Sequence, residues 1–233
     1  MCIISDTVDT VSSTKILAIP SKNGKRQLTV YSNTVLSPES NVMCIPVPNP
    51  NSVQFENVPS DIFSKCAQSF KSTKSCMDYF SNFCNSSYNA IIVRSMNEIN
   101  NQNGFILSEN IIEFLKKTYP NYGVILCKLK KGKHKYKPLA YSHDIDDKLF
   151  LPTKEYYIKL TKQASNWDHT IYSVGTPRWC HESTKTIQNN KINWSKMPAN
   201  YYLDCYVILN CYEKNGYCPN IDIWMPFILS LLY

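Results

Sequence analysis

Thr14-Lys15-Ile16-Leu17-Ala18-Ile19-Pro20, Ser21-Lys22-Asn23-Gly24-Lys25, then Arg26-Gln27-Leu28-Thr29-Val30-Tyr31-Ser32: this stretch decides the fold. Two β-rich runs flank an Asn-Gly pair, the strongest short-range signal for a β-hairpin. In the second run Leu28, Val30 and Ser32 share one face under the two-residue strand period. Val8–Val11 leads into the hairpin. The next extended run is Asn41-Val42-Met43-Cys44-Ile45-Pro46-Val47-Pro48. Prolines at 46, 48 and 50 cannot donate to a ladder, so this run is expected at a sheet edge or as an extended crossing.

Beyond residue 58 the pattern changes. Ser60 precedes Asp61-Ile62-Phe63-Ser64-Lys65-Cys66 as an N-cap with an acidic first turn, and apolar residues at 62, 63, 66 and 70 keep helical spacing. Phe80, Phe83 and Cys84 extend an aromatic patch, and Ala90–Ser95 is a compact buried strand. Asn97–Asn103 is the most loop-like stretch of the chain. Ser108 caps a second short helix from Glu109 to Thr118, stopped by Pro120. Residues 121–233 are again strand-rich: Tyr122–Leu129, Lys137–Ser142, Leu149–Pro152, Thr170–Val174 and Tyr201–Leu209. Strands in 1–58, helices in 59–120 and strands in 121–233, with no repeat or long linker, predict one α+β domain. Its sheet is mainly antiparallel, with a few short helices.

Composition narrows the class. The chain has 233 residues, 43% hydrophobic and only 18% charged, with 16 Tyr. That supports a packed core and excludes a disordered chain. Thirteen Pro against six Gly argue for rigid extended connections rather than glycine-rich phosphate loops, and no cofactor is expected. The net charge of +7 comes from 22 Lys and 3 Arg beside 23 Asn. This is the coding of an AT-rich genome, such as that of a large amoeba-infecting DNA virus or of some protists, so the basic balance reflects codon bias as well as surface chemistry. Asp6 and Asp9 interrupt any leader-like apolar run. The longest apolar stretch, Ile223–Tyr233, contains Pro226 and falls short of a membrane span. A soluble intracellular protein is expected, with its ten Cys reduced and the sequons at Asn85 and Asn193 without consequence.

Few residues suggest chemistry. Cys2 follows the initiator; with Met1 trimmed, its thiol and free α-amine could form an N-terminal nucleophile and base for amide hydrolysis. No acid or oxyanion set accompanies it. Lys128, Lys130, Lys131, Lys133, Lys135 and Lys137 crowd around His134, a density tolerable only at an exposed hairpin tip. Such a tip could grip phosphates in a salt-dependent way. Without Arg and with only Tyr136 for stacking, base readout is excluded.

Asp168 and His169 sit in the most specific polar run, Trp167-Asp168-His169-Thr170, but as neighbours on a strand they face opposite sides. His143 with Asp144, Asp146 and Asp147 forms an acidic loop that lacks the glycine and terminal Glu of a calcium loop. No Cys pair has the close spacing of a zinc knuckle, Cys180-His181 and Cys205, Cys211 and Cys218 included, so no metal site is expected and the thiols read as buried.

The runs from Thr14 to Tyr31 and from Asn41 to Pro48, with Tyr122–Leu129, Lys148-Leu149-Phe150-Leu151-Pro152-Thr153 and Asp168-His169-Thr170-Ile171-Tyr172, carry a resemblance. Over roughly residues 1–175 the chain resembles an uncharacterised family of bacterial and large-DNA-virus hypothetical proteins that begin Met-Cys. Relatives in that family carry a His-x-His pair where this chain has Lys154-Glu155-Tyr156-Tyr157, so any role of that pair is absent here. The resemblance implies no activity.

The sequence therefore points to a non-enzymatic protein of a large DNA virus, located in the host cytoplasm and carried in the virion. It presents a basic surface to an acidic protein or a nucleic acid and makes no membrane contact. The alternatives are a Cys2 amide hydrolase and sequence-independent nucleic-acid binding through Lys128–Lys137.

Overall fold

The Asn-Gly turn closes the hairpin at the heart of the largest of the three sheets among the described residues. After a two-residue strand β1 (Ile3–Ile4), β2 (Thr10–Pro20) and β3 (Arg26–Ser37) run antiparallel, with Pro20 opposite Gln27 and Thr10 opposite Leu36. Gly24 takes a φ of 68° in the turn, a region open to glycine at no steric cost. The Asn23 side-chain oxygen accepts from the Ser21 hydroxyl (2.7 Å) and the Lys25 amide (3.1 Å), which fixes the turn. A bulge interrupts the pairing between Ser12 and Lys15. The structure is a computed structural model and describes residues 3–69, 86–102, 104–156, 164–174, 184–188, 197–201 and 208–227.

Around this hairpin the remaining strands assemble. β4 (Asn41–Val47), β5 (Gln54–Glu56), β6 (Asn89–Val93), β7 (Gly123–Leu129), β8 (Gly132–Lys135), β9 (Leu139–Asp144), β10 (Lys148–Leu151), β11 (Ala164–Ser173), β12 (Thr184–Gln188), β13 (Ile208–Pro219) and β14 (Ile223–Pro226) follow in chain order. The large sheet runs β12-β13-β11-β2-β3-β9-β5, with β8 on the far half of β3. The small sheet runs β1-β4-β7-β6, and β10 pairs with β14 as a separate ribbon. Every ladder is antiparallel among the described strands except β2 with β11. With the helices α1 (Ile62–Ser69) and α2 (Glu109–Thr118) this is the expected α+β architecture, mainly antiparallel.

The side-chain alternation of β2 and β3 builds two cores at once. Ile16, Ala18, Tyr31 and Val35 face the small sheet, where they meet Met43, Ile45, Ile125 and Cys127. Leu17, Ile19, Leu28 and Val30 face the other way and are covered by Ile62, Phe63 and Cys66 of α1. On the outer side of the small sheet, Val42, Cys44, Val124 and Leu126 pack beneath Ile111 and Leu115 of α2. The layers are thus α1, large sheet, small sheet, α2, and the middle strands are buried on both faces.

The polar exceptions in this core are paired with care. Gln27 donates to the Phe150 carbonyl (2.6 Å) and accepts from the Phe150 amide (2.7 Å). One side chain so closes the backbone of β10 onto the large sheet without leaving a buried orphan. The 152–156 segment is tied to the end of the chain in the same way. Asp222 accepts from the Tyr119 hydroxyl and the Lys154 amide, and Asn220 exchanges two bonds with the Glu155 backbone.

Several expectations are corrected. The 41–48 run is an edge only in its second half: β4 pairs with β7 along its length, while β1 flanks it at Met43 and Cys44. Proline is tolerated because β1 reaches only Met43 and Cys44, so nothing on that flank needs a donor from Pro46. Residues 97–101 are not loop but belong to a 3-10 helix, Met96–Asn101, whose Ser95 hydroxyl accepts from the Asn97 amide (3.3 Å). Ser108 begins α2 as expected, but its hydroxyl donates to the Ser5 carbonyl (2.8 Å) instead of capping the helix. Of the strand expected over Tyr201–Leu209, Tyr201 belongs to a 3-10 turn and Ile208 and Leu209 to β13, while residues 202–207 lie outside the described residues. Phe80, Phe83 and Cys84 lie outside the described residues.

Candidate functional site

The lysine run does not form a hairpin tip. β7 pairs with β4 and β6 in the small sheet, whereas β8 pairs with β3 in the large one. Lys130 and Lys131 therefore lie where the chain crosses from one sheet to the other. Strand alternation then separates the cations. Lys128 shares the outer face of the small sheet with Val124 and Leu126, while Lys133 and Lys135 lie opposite Leu36 and Thr34, on the face of the large sheet that does not carry Val35. Lys131 pairs with Glu39 at 3.3 Å across an exposed gap, a contact of little energetic weight. Lys137 is exposed beyond β8. The six lysines point in several directions.

Two of them, Lys128 and Lys130, line a groove of about 720 Å³. Its floor is one row across the small sheet: Val42, Lys128 and Asn89 stand side by side in register on β4, β7 and β6. α2 covers the rows behind, and the 104–108 segment walls the groove from above. That wall is fastened to the chain's start, since the Ser5 hydroxyl accepts from the Ser108 amide (2.8 Å). Lys128 Nζ lies 4.9 Å from the centroid of Phe105, a cation–π distance. A Cβ on Gly104 would come within 2.9 Å of that nitrogen, and its φ of 76° favours glycine independently. Ile106 stands on the rim with 87% of its surface exposed, beside the half-buried Leu107. Asp6 is the one acidic residue among those lining the groove.

The other sequence candidates fall elsewhere. Cys2 lies outside the described residues; the next two residues, Ile3 and Ile4, are fully buried. Asp168 and His169 do face opposite ways on β11. The Asp168 carboxylate accepts from the amide of Ser13, whose φ of 53° marks the β2 bulge, so it pins that irregularity. His169 is buried, and burial holds its imidazole well below the ordinary range. The 143–147 loop also breaks up: Asp144 pairs with Arg26 at 2.6 Å, Asp146 and Asp147 face outward, and His143 turns inward.

His143 Nδ1 lies 2.9 Å from the Asp144 carbonyl, so it carries the proton, while Nε2 is enclosed without a partner. Burial lowers its pKa to about 4. Burial likewise raises the Asp222 carboxyl and the Tyr119 hydroxyl that donates to it. No cluster of three His, Cys, Asp or Glu side chains that could hold a metal ion occurs among the described residues. Cys44, Cys66, Cys127 and Cys211 are buried, and burial pushes the Cys66 thiol far up. Among the described residues no helix is long and apolar enough to cross a membrane.

Sequence reading missed Ile106, Gly104 and the tether from Ser5 to Ser108. Gly104 after an Asn-rich run was a turn signal; nothing local marked Ile106 as exposed.

No family model matches the chain, and no curated protein matches it in sequence. Among solved structures it is similar to baculovirus P35, with a TM-score of 0.60 and 16% identity over 97% of this chain and all of that one. It is also similar to a mutated baculovirus P35 after caspase cleavage, with a TM-score of 0.50 and 16% identity over 95% of this chain and 99% of that one. At this identity the likeness is one of fold.

Proposed function

We propose that this chain is a viral, non-catalytic protein that acts in the host cytosol by engaging caspases as a substrate-like inhibitor. The observation that carries this reading is the end-to-end likeness to baculovirus P35, which spans the whole of that chain. Fold alone does not transfer function; the second P35 structure, taken after caspase cleavage, supplies the chemistry to test. Carriage in the virion and a general basic surface find no separate support in the geometry.

Caspases are cysteine proteases that cut after aspartate, and cleavage needs a segment that can leave its surroundings and extend into a cleft. The described aspartates are poorly placed for this. Asp9 donates from its amide to the Leu36 carbonyl, Asp61 opens α1 and pairs with Lys65, and Asp168 lies within β11. The Asp6 amide donates to Asn41, and the Asp144 amide to the Ser52 hydroxyl. Asp146 and Asp147 occupy the short link between β9 and β10, and the Asp222 carboxyl is enclosed. Asp78 and Asp204 are the two aspartates outside the described residues.

Incubation with a panel of purified caspases, read by intact mass, tests the proposal. One cut is expected, after a single aspartate, abolished by the Asp→Ala substitution at the position that the fragment masses identify. A chain that stays intact with every caspase, or is cut only after unfolding, overturns it.

A further inference from the structure

The groove beneath Ile106 has the features of a built recognition surface. Its volume of about 720 Å³ lies within the range of ligand clefts, about 300–1,000 Å³. Among the described residues neither Lys128 nor Lys130 forms an ion pair, and the side chains of Ser87 and Asn89 make no hydrogen bond. Cations and unspent polar groups thus converge on one row of a rigid sheet. The outermost residue of that row, Asn89, belongs to β6, the last strand of the small sheet among the described residues. Beside them Ile106, a branched aliphatic side chain, stands almost wholly in solvent.

We propose that this groove binds a short acidic peptide segment of a partner protein. An Asp or Glu side chain reaches the ammonium groups of Lys128 and Lys130, and a neighbouring aliphatic side chain packs on Ile106. Charge complementarity selects this occupant, since two lysines face one aspartate in the lining. Nucleic acid fits less well: no arginine lines the groove, and the nearby Phe105 ring is already covered by Lys128, leaving no open platform for a base. The sheet floor and its amide side chain suit an extended backbone.

The test uses the full chain on an array of random short peptides, then fluorescence anisotropy with the best binder and with a short DNA duplex. Bound sequences are expected to carry Asp or Glu beside a branched aliphatic residue, with binding weakening as salt rises. Lys130→Glu, an exposed position, and Ile106→Ser should each weaken binding by about tenfold, and Lys128→Glu with Lys130→Glu should abolish it. Lys133→Glu with Lys135→Glu, off the groove, should leave it within about twofold. Thermal unfolding confirms that each variant is folded. The proposal is overturned if no acidic preference emerges, if the off-groove pair weakens binding as much as the groove pair, or if the duplex binds and the peptide does not.

Discussion

Acidification should weaken this fold through His143, by an amount that can be worked out. In the native state the ring is fully buried, Nδ1 donates to the Asp144 carbonyl at 2.9 Å, and Nε2 has no acceptor for a second proton. Its folded pKa is about 4, below the ordinary value of about 6.5. The unfolded chain therefore binds the extra proton first. Stability from this group is complete above pH 6.5 and is lost as pH falls from there toward 4. The linkage relation gives a loss of about 1 kcal/mol at pH 5.5 and about 3 kcal/mol at pH 4.

His169 is depressed in the same direction by its own burial, so the wild-type curve contains both histidines. The Asp222 carboxyl, raised by burial, works in the opposite sense. The difference between wild type and His143→Asn isolates His143, because the Asn amide can still donate to the Asp144 carbonyl and does not titrate. Urea unfolding at pH 7, 5.5 and 4.5 measures it. The variant should be the less stable protein at pH 7 and should close the gap as pH falls. Parallel curves, differing in slope by less than about 0.5 kcal/mol over the interval, would refute the reasoning.

Three other perturbations have expected outcomes. Gln27→Leu removes both side-chain partners of the buried Phe150 backbone and should cost about 2–4 kcal/mol in urea unfolding. Hydrogen exchange should show lost protection at the Phe150 amide before the β2–β3 ladder. Gly123→Ala places a Cβ 2.7 Å from the Pro50 side chain and 2.8 Å from the Val93 carbonyl; overpacking between two fixed elements should lower stability by about 1–3 kcal/mol, read as a fall in Tm. Leu28→Ala empties a fully buried position under α1 and should cost about 2–5 kcal/mol by the same denaturation measurement.

What could be read in the sequence was what neighbours in the chain decide. Asn23-Gly24 with alternating Leu28 and Val30 placed the hairpin, and Ile62, Phe63 and Cys66 found the buried face of α1 as helical spacing requires. Expectations failed where pairing depends on distant segments. Pro46 argued correctly that a donor is missing, but only the shortness of β1, some forty residues away in the chain, leaves that half of β4 at an edge. The lysine run looked like a hairpin because Gly132 is a good turn residue. The chain instead changes sheets there, since β8 finds its partner in β3. The groove was invisible for the same reason: Ser5, Asn41, Asn89, Ile106 and Lys128 meet only after the small sheet has formed and the 104–108 segment has been tied to Ser5. Of the six lysines singled out, the fold brings two to one site.

Titrating a purified caspase with the intact chain, and measuring the residual activity on a small peptide substrate, separates inhibition from likeness of fold alone. A substrate-like inhibitor predicts activity falling in proportion to added chain until it is exhausted near one chain per active site. A fragment pair from a single cut should appear in step with that loss. Activity that stays constant while the chain remains uncut, or while it is merely consumed as an ordinary substrate, would contradict the proposed inhibition.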